Sequence, residues 1–231
     1  MRRVNHKNEN KRLLLKMFDK YLKKSDTLYD IGCGTKYFAK HTKGKVTDHI
    51  GVDLDEGFYD KSHIDIIGSA YDVPVADGVA DVVLSSQVME HLDRPEDAVK
   101  ETARLLKKGG YFICSFPFMY PIHAAPHDYQ RLTEFAMNKY LKDHGFDVVE
   151  LHRVGGFWFI VGIYFQMYLQ TFNVGFLRKT HLVSAIGWIF AWLFTLIHSL
   201  EGAVLSLAGK KAINAARHRW TNNYVFVAQK K

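Results

Sequence analysis

Cysteine and proline are scarce, at 2 and 5 residues in a chain of 231. Cys33 and Cys114 both fall in apolar segments, so no disulfide framework is expected and a reducing cytoplasm is the natural compartment. No internal repeat or low-complexity linker occurs, which argues against a solenoid or a flexible tether. No apolar run follows the basic N-terminus within reach, so no secretory leader is expected. Charge is missing from two long stretches: residues 154–177 and 180–200 contain no Asp, Glu, Lys or Arg.

What is present points to one ordered domain with an elaboration. Hydrophobic residues make up 48% and aromatics 14%, too many for a disordered chain. The formal charge is +7. Basic residues gather at Arg2, Arg3, Lys7, Lys11 and Arg12, and again at Lys210, Lys211, Arg217 and Arg219. That pattern fits nucleic acid, an anionic membrane surface, or a solvated basic face.

Residues 11–24 read as an amphipathic helix with Leu14, Leu15, Phe18 and Leu22 on one face. Apolar strands follow at "TLYDIG", "HIGVDL", "HIDII" and "DVVLSS". A helix is expected over "RPEDAVKETARLLKKGG", opened by Pro95, Glu96 and Asp97, with Lys107 and Lys108 at its end and Gly109 and Gly110 stopping it. "YFICSF" is the fifth strand. Thr133 can cap a helix that Gly145 ends. "FDVVEL" and "NYVFVA" complete seven strands. Strands and helices in alternation predict an α/β three-layer sandwich, Rossmann-like, on a mostly parallel sheet.

In such a sheet ligands sit at the carboxyl ends of the strands. The first strand ends at Asp30, and Gly32 and Gly34 clear side chains from the turn, so a ligand can reach backbone N–H groups. Asp53 ends the second strand, where a carboxylate can accept two hydrogen bonds from ribose hydroxyls. Lys36 or Tyr37 stands where a dinucleotide fingerprint would place its third glycine. An adenosine without phosphates fits better than a pyrophosphate.

These motifs resemble the class I S-adenosylmethionine-dependent methyltransferases of the type 11 kind. "DIGCGT" is similar to the first family motif, "GVDLD" to its ribose-binding acid, and "SAYDVPV" through "YFICSFP" to its third-to-fifth strands. The resemblance covers about residues 11–150, with 223–228 completing the sheet through an antiparallel last strand. It implies S-adenosyl-L-methionine as cofactor. Asp30, Gly32 and Gly34 would surround its methionine end, and Asp53 and Leu54 its ribose and adenine. Ser69, Ala70 and Tyr71 would lie at the adenine edge, and Ser86 and Gln87 beneath the sulfonium. Relatives often carry an acid where Ser69 stands; Asp72 can substitute, and ordinary turn chemistry is the alternative for both.

A cofactor carrying an activated methyl leaves the protein mainly alignment and exclusion of water. Candidate catalytic groups are His91, beside Glu90, and His123 and His127 in the loop "PFMYPIHAAPHDYQRLTE". That loop resembles a His…Asp-Tyr…Arg-x-Thr pattern of bacterial methyltransferases near surface-sugar pathways. A general base at His127 or His123, a metal on the His123/His127 pair, and an Asp128–Arg131 pair holding the loop shut are three readings of it; no metal is expected. The base-methylating Asn/Asp-Pro-Pro-aromatic signature is absent, so no nucleic-acid partner is expected.

The division expected is a cofactor-binding core over 1–153, an apolar helical insertion over 154–209, and a basic segment with the final strand over 210–231. Each uncharged stretch is near the ~20 residues that span a bilayer. A spanning hairpin would carry Arg178 and Lys179 across, against the positive-inside tendency. Gln166, Gln170 and Asn173 make a polar stripe, and Gly187, Ala191 and Thr195 a small-residue face. The expectation is two packed helices in or dipping into one leaflet, at the cytoplasmic side of the membrane. The alternative is a soluble cap or a homodimer interface. The acceptor expected is a small molecule, lipid-linked or hydrophobic. A soluble sugar acceptor, or an inactive cofactor-binding scaffold, is the alternative.

Overall fold

The computed structural model describes residues 6–55, 61–176 and 182–231. The expectations placed on Arg2, Arg3 and the tip at 178–180 lie outside them. The chain forms two compact units. The larger comprises Lys11–Pro117, Ile122–His152 and Tyr224–Lys231; the smaller is Arg153–Asn223 with Phe118–Pro121 and the N-terminal residues up to Asn10.

Seven strands build the sheet: β1 (Thr27–Ile31), β2 (Asp48–Asp53), β3 (Ile66–Ile67), β4 (Ala80–Ser86), β5 (Leu106–Pro117), β6 (Phe146–Val154) and β7 (Asn223–Lys230). Their order is β3-β2-β1-β4-β5-β7-β6. The pairs β1/β2, β2/β3, β1/β4 and β4/β5 are parallel, and the last strands bring in antiparallel pairing. Strand order reverses between β1 and β4, which opens a crevice at their carboxyl ends. The central strands are apolar runs because both faces are covered: Leu28, Val52, Val83 and Leu84 are fully buried. Each such side chain contributes about 1.5–3 kcal/mol by leaving water.

The sheet is flanked by α1 (His6–Tyr21), α2 (Ala39–Thr42), α3 (Pro95–Leu105) and α4 (Glu134–Asp143). On α1 the buried face is Leu14, Met17, Phe18 and Tyr21, rotated from the expected Leu14, Leu15, Phe18 and Leu22. Phe18 meets Phe38 edge-on at 5.4 Å. The expected cap holds at α4, where Thr133 accepts a hydrogen bond from the Ala136 amide. The end of α3 differs from expectation. Leu106 takes an extended conformation and starts β5, and the Lys107 ammonium donates to Asp81 at 2.8 Å. Lys107 and Lys108 thus head a strand and complement no helix end.

The smaller unit contains α5 (Phe157–Gln170), α6 (Leu182–Leu207) and α7 (Lys210–Arg219). The helices α5 and α6 pack through Phe165 and Phe190, 4.6 Å apart, and Trp158 and Phe194, 6.4 Å apart. Ala191 is buried and Gly187 approaches Leu169, so part of the small-residue face meets α5. Asn173 lies beyond the end of α5, which shortens the expected polar stripe to Gln166 and Gln170. At 14 residues α5 is too short to cross a bilayer; among the described residues only α6, at 26, has the length and hydropathy to do so. The division at 209 also moves. Residues 210–222 cluster with the apolar helices, because Trp220 after α7 packs against Phe157 at 5.0 Å.

Candidate cofactor and acceptor site

The crevice begins at the glycine turn after β1. Gly32 and Gly34 adopt φ of +71° and +52°, a region where L side chains are strained. A Cβ on Gly32 would stand 2.4 Å from a methyl of Val88. The amides of Gly32 and Cys33 both donate to the Val52 carbonyl, at 2.9 and 3.2 Å, fixing the turn to β2. Asp53 faces this turn: one carboxylate oxygen accepts from the Gly34 amide at 2.7 Å and the other from the Leu54 amide at 2.8 Å. A carboxylate accepts about four hydrogen bonds, so two backbone bonds leave it capacity for ribose hydroxyls.

A cavity of about 570 Å³ opens here, within the range of small-molecule sites. Of the expected cofactor residues, Gly32, Asp53, Leu54, Ser69, Ala70, Tyr71 and Gln87 line it. Gln87 holds φ +60°, and its amide donates to the Ser115 carbonyl at 2.8 Å. Ser69 accepts from the Tyr71 amide at 3.2 Å and bridges to Asp72, a turn function. The Tyr71 hydroxyl donates to Asp93 at 2.6 Å, with the Arg94 guanidinium 4.5 Å over its ring. Asp93 also lines the cavity and was not anticipated; its proximity to Tyr71 is tertiary, and only its place just after the fourth strand hinted at it.

Asp30, Gly34 and Ser86 do not line the cavity. Asp30 is buried beneath the turn and contacts His49 Nε2 at 3.1 Å, while His49 Nδ1 meets Thr42 at 2.7 Å. Burial pushes the Asp30 carboxyl up, and His49 opposes it. Ser86 pairs with Ser115 at 3.1 Å. Burial raises the Cys33 thiol to about 12 and lifts Cys114 as well, so neither serves as a thiolate nucleophile at neutral pH.

The far side of the cavity carries the candidate acceptor groups. His91, His127, Ala124 and Tyr129 line it; His123 does not. The loop bearing them is stitched to the short helical turn Met89–His91, since the Tyr129 amide donates to the Glu90 carbonyl at 2.9 Å. His91 Nδ1 donates to the His127 carbonyl at 2.6 Å. Arg131 grips Asp128 through both guanidinium nitrogens, one at 2.7 Å, and the carboxyl falls to about 2, chiefly through that hydrogen bonding. The pair closes the loop, as one of the three readings expected. Behind it lies Glu90, 1% exposed, whose carboxyl burial pushes up to about 8.

A doubly wound α/β sheet with a glycine turn and a carboxylate lining a cavity at its switch point is the arrangement of nucleoside- and nucleotide-binding folds. Residues 29–114 match the methyltransferase domain family. The chain is 31% identical over 133 residues to an uncharacterized methyltransferase of Schizosaccharomyces pombe, covering 48% of this chain and 47% of that protein. It spans less than half the length of the curated relatives it matches. Among solved structures, a methyltransferase of Bacillus halodurans superposes with a TM-score of 0.59 at 18% identity, over 94% of this chain and 98% of that one. The [4+2]-cyclase SpnF superposes with 0.59 at 15% identity, over 94% and 80%. The matched segment holds the glycine turn and Asp53, and the solved neighbours share the α/β fold. The residues present fit that family's cofactor: a side-chain-free turn for its amino-acid portion and Asp53 with acceptor capacity to spare.

Proposed function

We propose that this protein transfers a methyl group from S-adenosylmethionine to a lipid-linked or hydrophobic small molecule at a membrane face. The observation that carries the transfer is the Asp53–Gly34 clamp beside the cavity at the carboxyl ends of β1, β2 and β4. Held by Asp53 and the Gly32–Gly34 turn, S-adenosylmethionine would supply an electrophilic methyl for the acceptor's lone pair. This chain's part is alignment, which can be worth up to about 7–11 kcal/mol of barrier. Gln87 and Val88 wall the crevice, and the loop locked by Asp128–Arg131 bounds its acceptor side. With its Nδ1 proton committed to the His127 carbonyl, His91 presents an unprotonated Nε2 on the acceptor side.

The membrane part rests on α6. Trp188, Ile189, Trp192, Leu196, Leu200 and Val204 form an exposed stripe along it, with Trp188 55% exposed. Directly after it, α7 presents Lys210, Lys211, Arg217 and Arg219 to solvent. An apolar stripe beside a basic helix matches an anionic leaflet, tails to one and headgroups to the other. This placement argues for an enzyme on the cytoplasmic face.

The test is methyl-labelled cofactor incubated with the protein and a membrane lipid extract, followed by phase partition. Label in the organic phase is expected. Label confined to water-soluble sugars would overturn the lipid acceptor, and no label in any fraction would overturn the transfer itself.

A further inference from the structure

We propose that Glu90, His91 and His123 form a binding site for a divalent transition-metal cation, set against the acceptor side of the cavity. Glu90 is buried, yet neither of its carboxylate oxygens has a hydrogen-bond partner. A buried carboxylate left so is costly, by about 1–3 kcal/mol or more, and a cation is what would relieve it.

Two imidazoles face the same oxygen. His91 Nε2 lies 3.8 Å and His123 Nε2 3.9 Å from Glu90 Oε1. One ligand atom from each of the three residues falls within 4.8 Å of the others. Ligands on a tetrahedral zinc ion with bonds of about 2.1 Å stand about 3.4 Å apart, so modest side-chain rotations close the set. Pairing the oxygen with two protonated imidazoles would call for shorter contacts than these.

The outer contact orients the His91 ring as a ligand. Because a carbonyl only accepts, the 2.6 Å contact to His127 O puts the His91 proton on Nδ1 and the lone pair on Nε2. His123 Nδ1 lies 3.3 Å from Asp128 Oδ2 and 3.5 Å from the Arg131 guanidinium, so the loop pair fixes the position of this ring. A ligating histidine that hands its other nitrogen to a carbonyl or carboxylate is the recurring arrangement at metal sites. Two histidines and one carboxylate suit zinc, manganese, cobalt or iron in the divalent state, with positions left for outside ligands. The sequence suggested His123 with His127; the fold replaces His127 by His91 and Glu90, and this proposal departs from the expectation of no metal.

His91 also lines the cavity, so the open positions border the acceptor. The class of acceptor that would exploit them carries an oxygen ligand, a hydroxyl, carboxylate or phosphate. This assignment deepens the methyl-transfer reading and rests on it only for the acceptor; metal binding is measured without cofactor or acceptor, so the two fail separately.

The full-length protein is stripped with chelator, dialysed against Zn²⁺, Mn²⁺ or Co²⁺, and assayed for bound metal. One equivalent per chain is expected for at least one cation, with visible Co²⁺ absorption of low-symmetry coordination. Glu90→Gln and His91→Ala should lose stoichiometric binding, and Asp128→Asn should weaken it about tenfold or more. His123→Cys supplies a gain of signal that no misfolded variant mimics: a thiolate-to-Co²⁺ charge-transfer band. Absence of stoichiometric metal from the wild type would overturn the site. So would binding undiminished in the His91→Ala/His123→Ala double variant, or no thiolate band in a His123→Cys protein that still melts cooperatively.

Discussion

Gly32→Ala probes the crevice where backbone, packing and ligand meet. At φ +71° an alanine costs about 1–2 kcal/mol in left-handed strain. Its Cβ would also lie 2.4 Å from one methyl of Val88 and 3.0 Å from the other, overpacking that adds about 1–3 kcal/mol. The sum is about 2–5 kcal/mol. Val88 can yield only by shifting the segment after β4 that lines the cavity, so part of the cost should appear as lost ligand affinity. Gly78→Ala is the control: its φ is +64°, and an added Cβ meets nothing within 4 Å. It carries the backbone strain without the clash. At about 2–4 °C per kcal/mol for a chain of this size, Gly32→Ala should melt about 4–20 °C below wild type and Gly78→Ala about 2–8 °C below. Calorimetry with S-adenosylhomocysteine should find binding weakened only in Gly32→Ala. If both variants melt alike and bind alike, the packing argument for the turn is refuted.

Other outcomes follow from particular contacts. Arg131→Ala removes the ion-pair partner of Asp128, whose side chain is 2% exposed, and leaves the His123 amide as a neutral donor to it. It should destabilise by about 3–5 kcal/mol in urea unfolding, and the Asp128→Ala/Arg131→Ala double variant should recover part of that; equal costs would show that the pair is not coupled. Burial tends to raise the Glu150 carboxyl, but hydrogen bonds from Lys20, Tyr21 and His152 outweigh it and bring the group from 4.5 to about 2. A depressed folded value stabilises above pH 4.5 and is lost as pH falls toward 2; the full shift would be about 3 kcal/mol, nearer 1 with Lys20 so exposed. Glu150→Gln should flatten the pH dependence of stability in that window, and an unchanged profile would disprove the assignment. Trp188 and Trp192 should shift their emission to the blue with anionic vesicles and not with neutral ones at raised salt; no shift in any vesicle would remove α6 from the membrane.

Much of the sheet was legible because its strands are apolar runs that end in Asp or Gly. "LYDIG" and "IGVDL" could only be buried strands stopping at a ligand-facing turn, and they are β1 and β2. Thr133 named its own helix start through cap chemistry. Local cues misled where two elements abut without a loop. Leu105 and Leu106 read as one apolar helix tail, and the basic pair after them imitated a helix end, yet the chain turns extended at Leu106. On α1, Met17 and Tyr21 took the buried face, because the face is chosen by what it packs against and not by hydropathy alone. Asp30 looked like a cofactor ligand from its place at a strand end; its pairing with His49 appears only when β1 and β2 lie side by side. The Glu90–His91–His123 cluster was similarly hidden, since a loop must fold back over the turn after β4 before His123 meets Glu90.

The account stands on an adenosine-bearing cofactor gripped by Asp53 beside the Gly32–Gly34 turn. Titrating S-adenosylhomocysteine into wild type and Asp53→Ala, by calorimetry, reads that grip directly. One site per wild-type chain is expected, weakened about tenfold or more in the variant by loss of charge-assisted hydrogen bonds worth about 1.5–3 kcal/mol. A wild type that binds nothing, or a variant that binds as tightly as wild type, contradicts it.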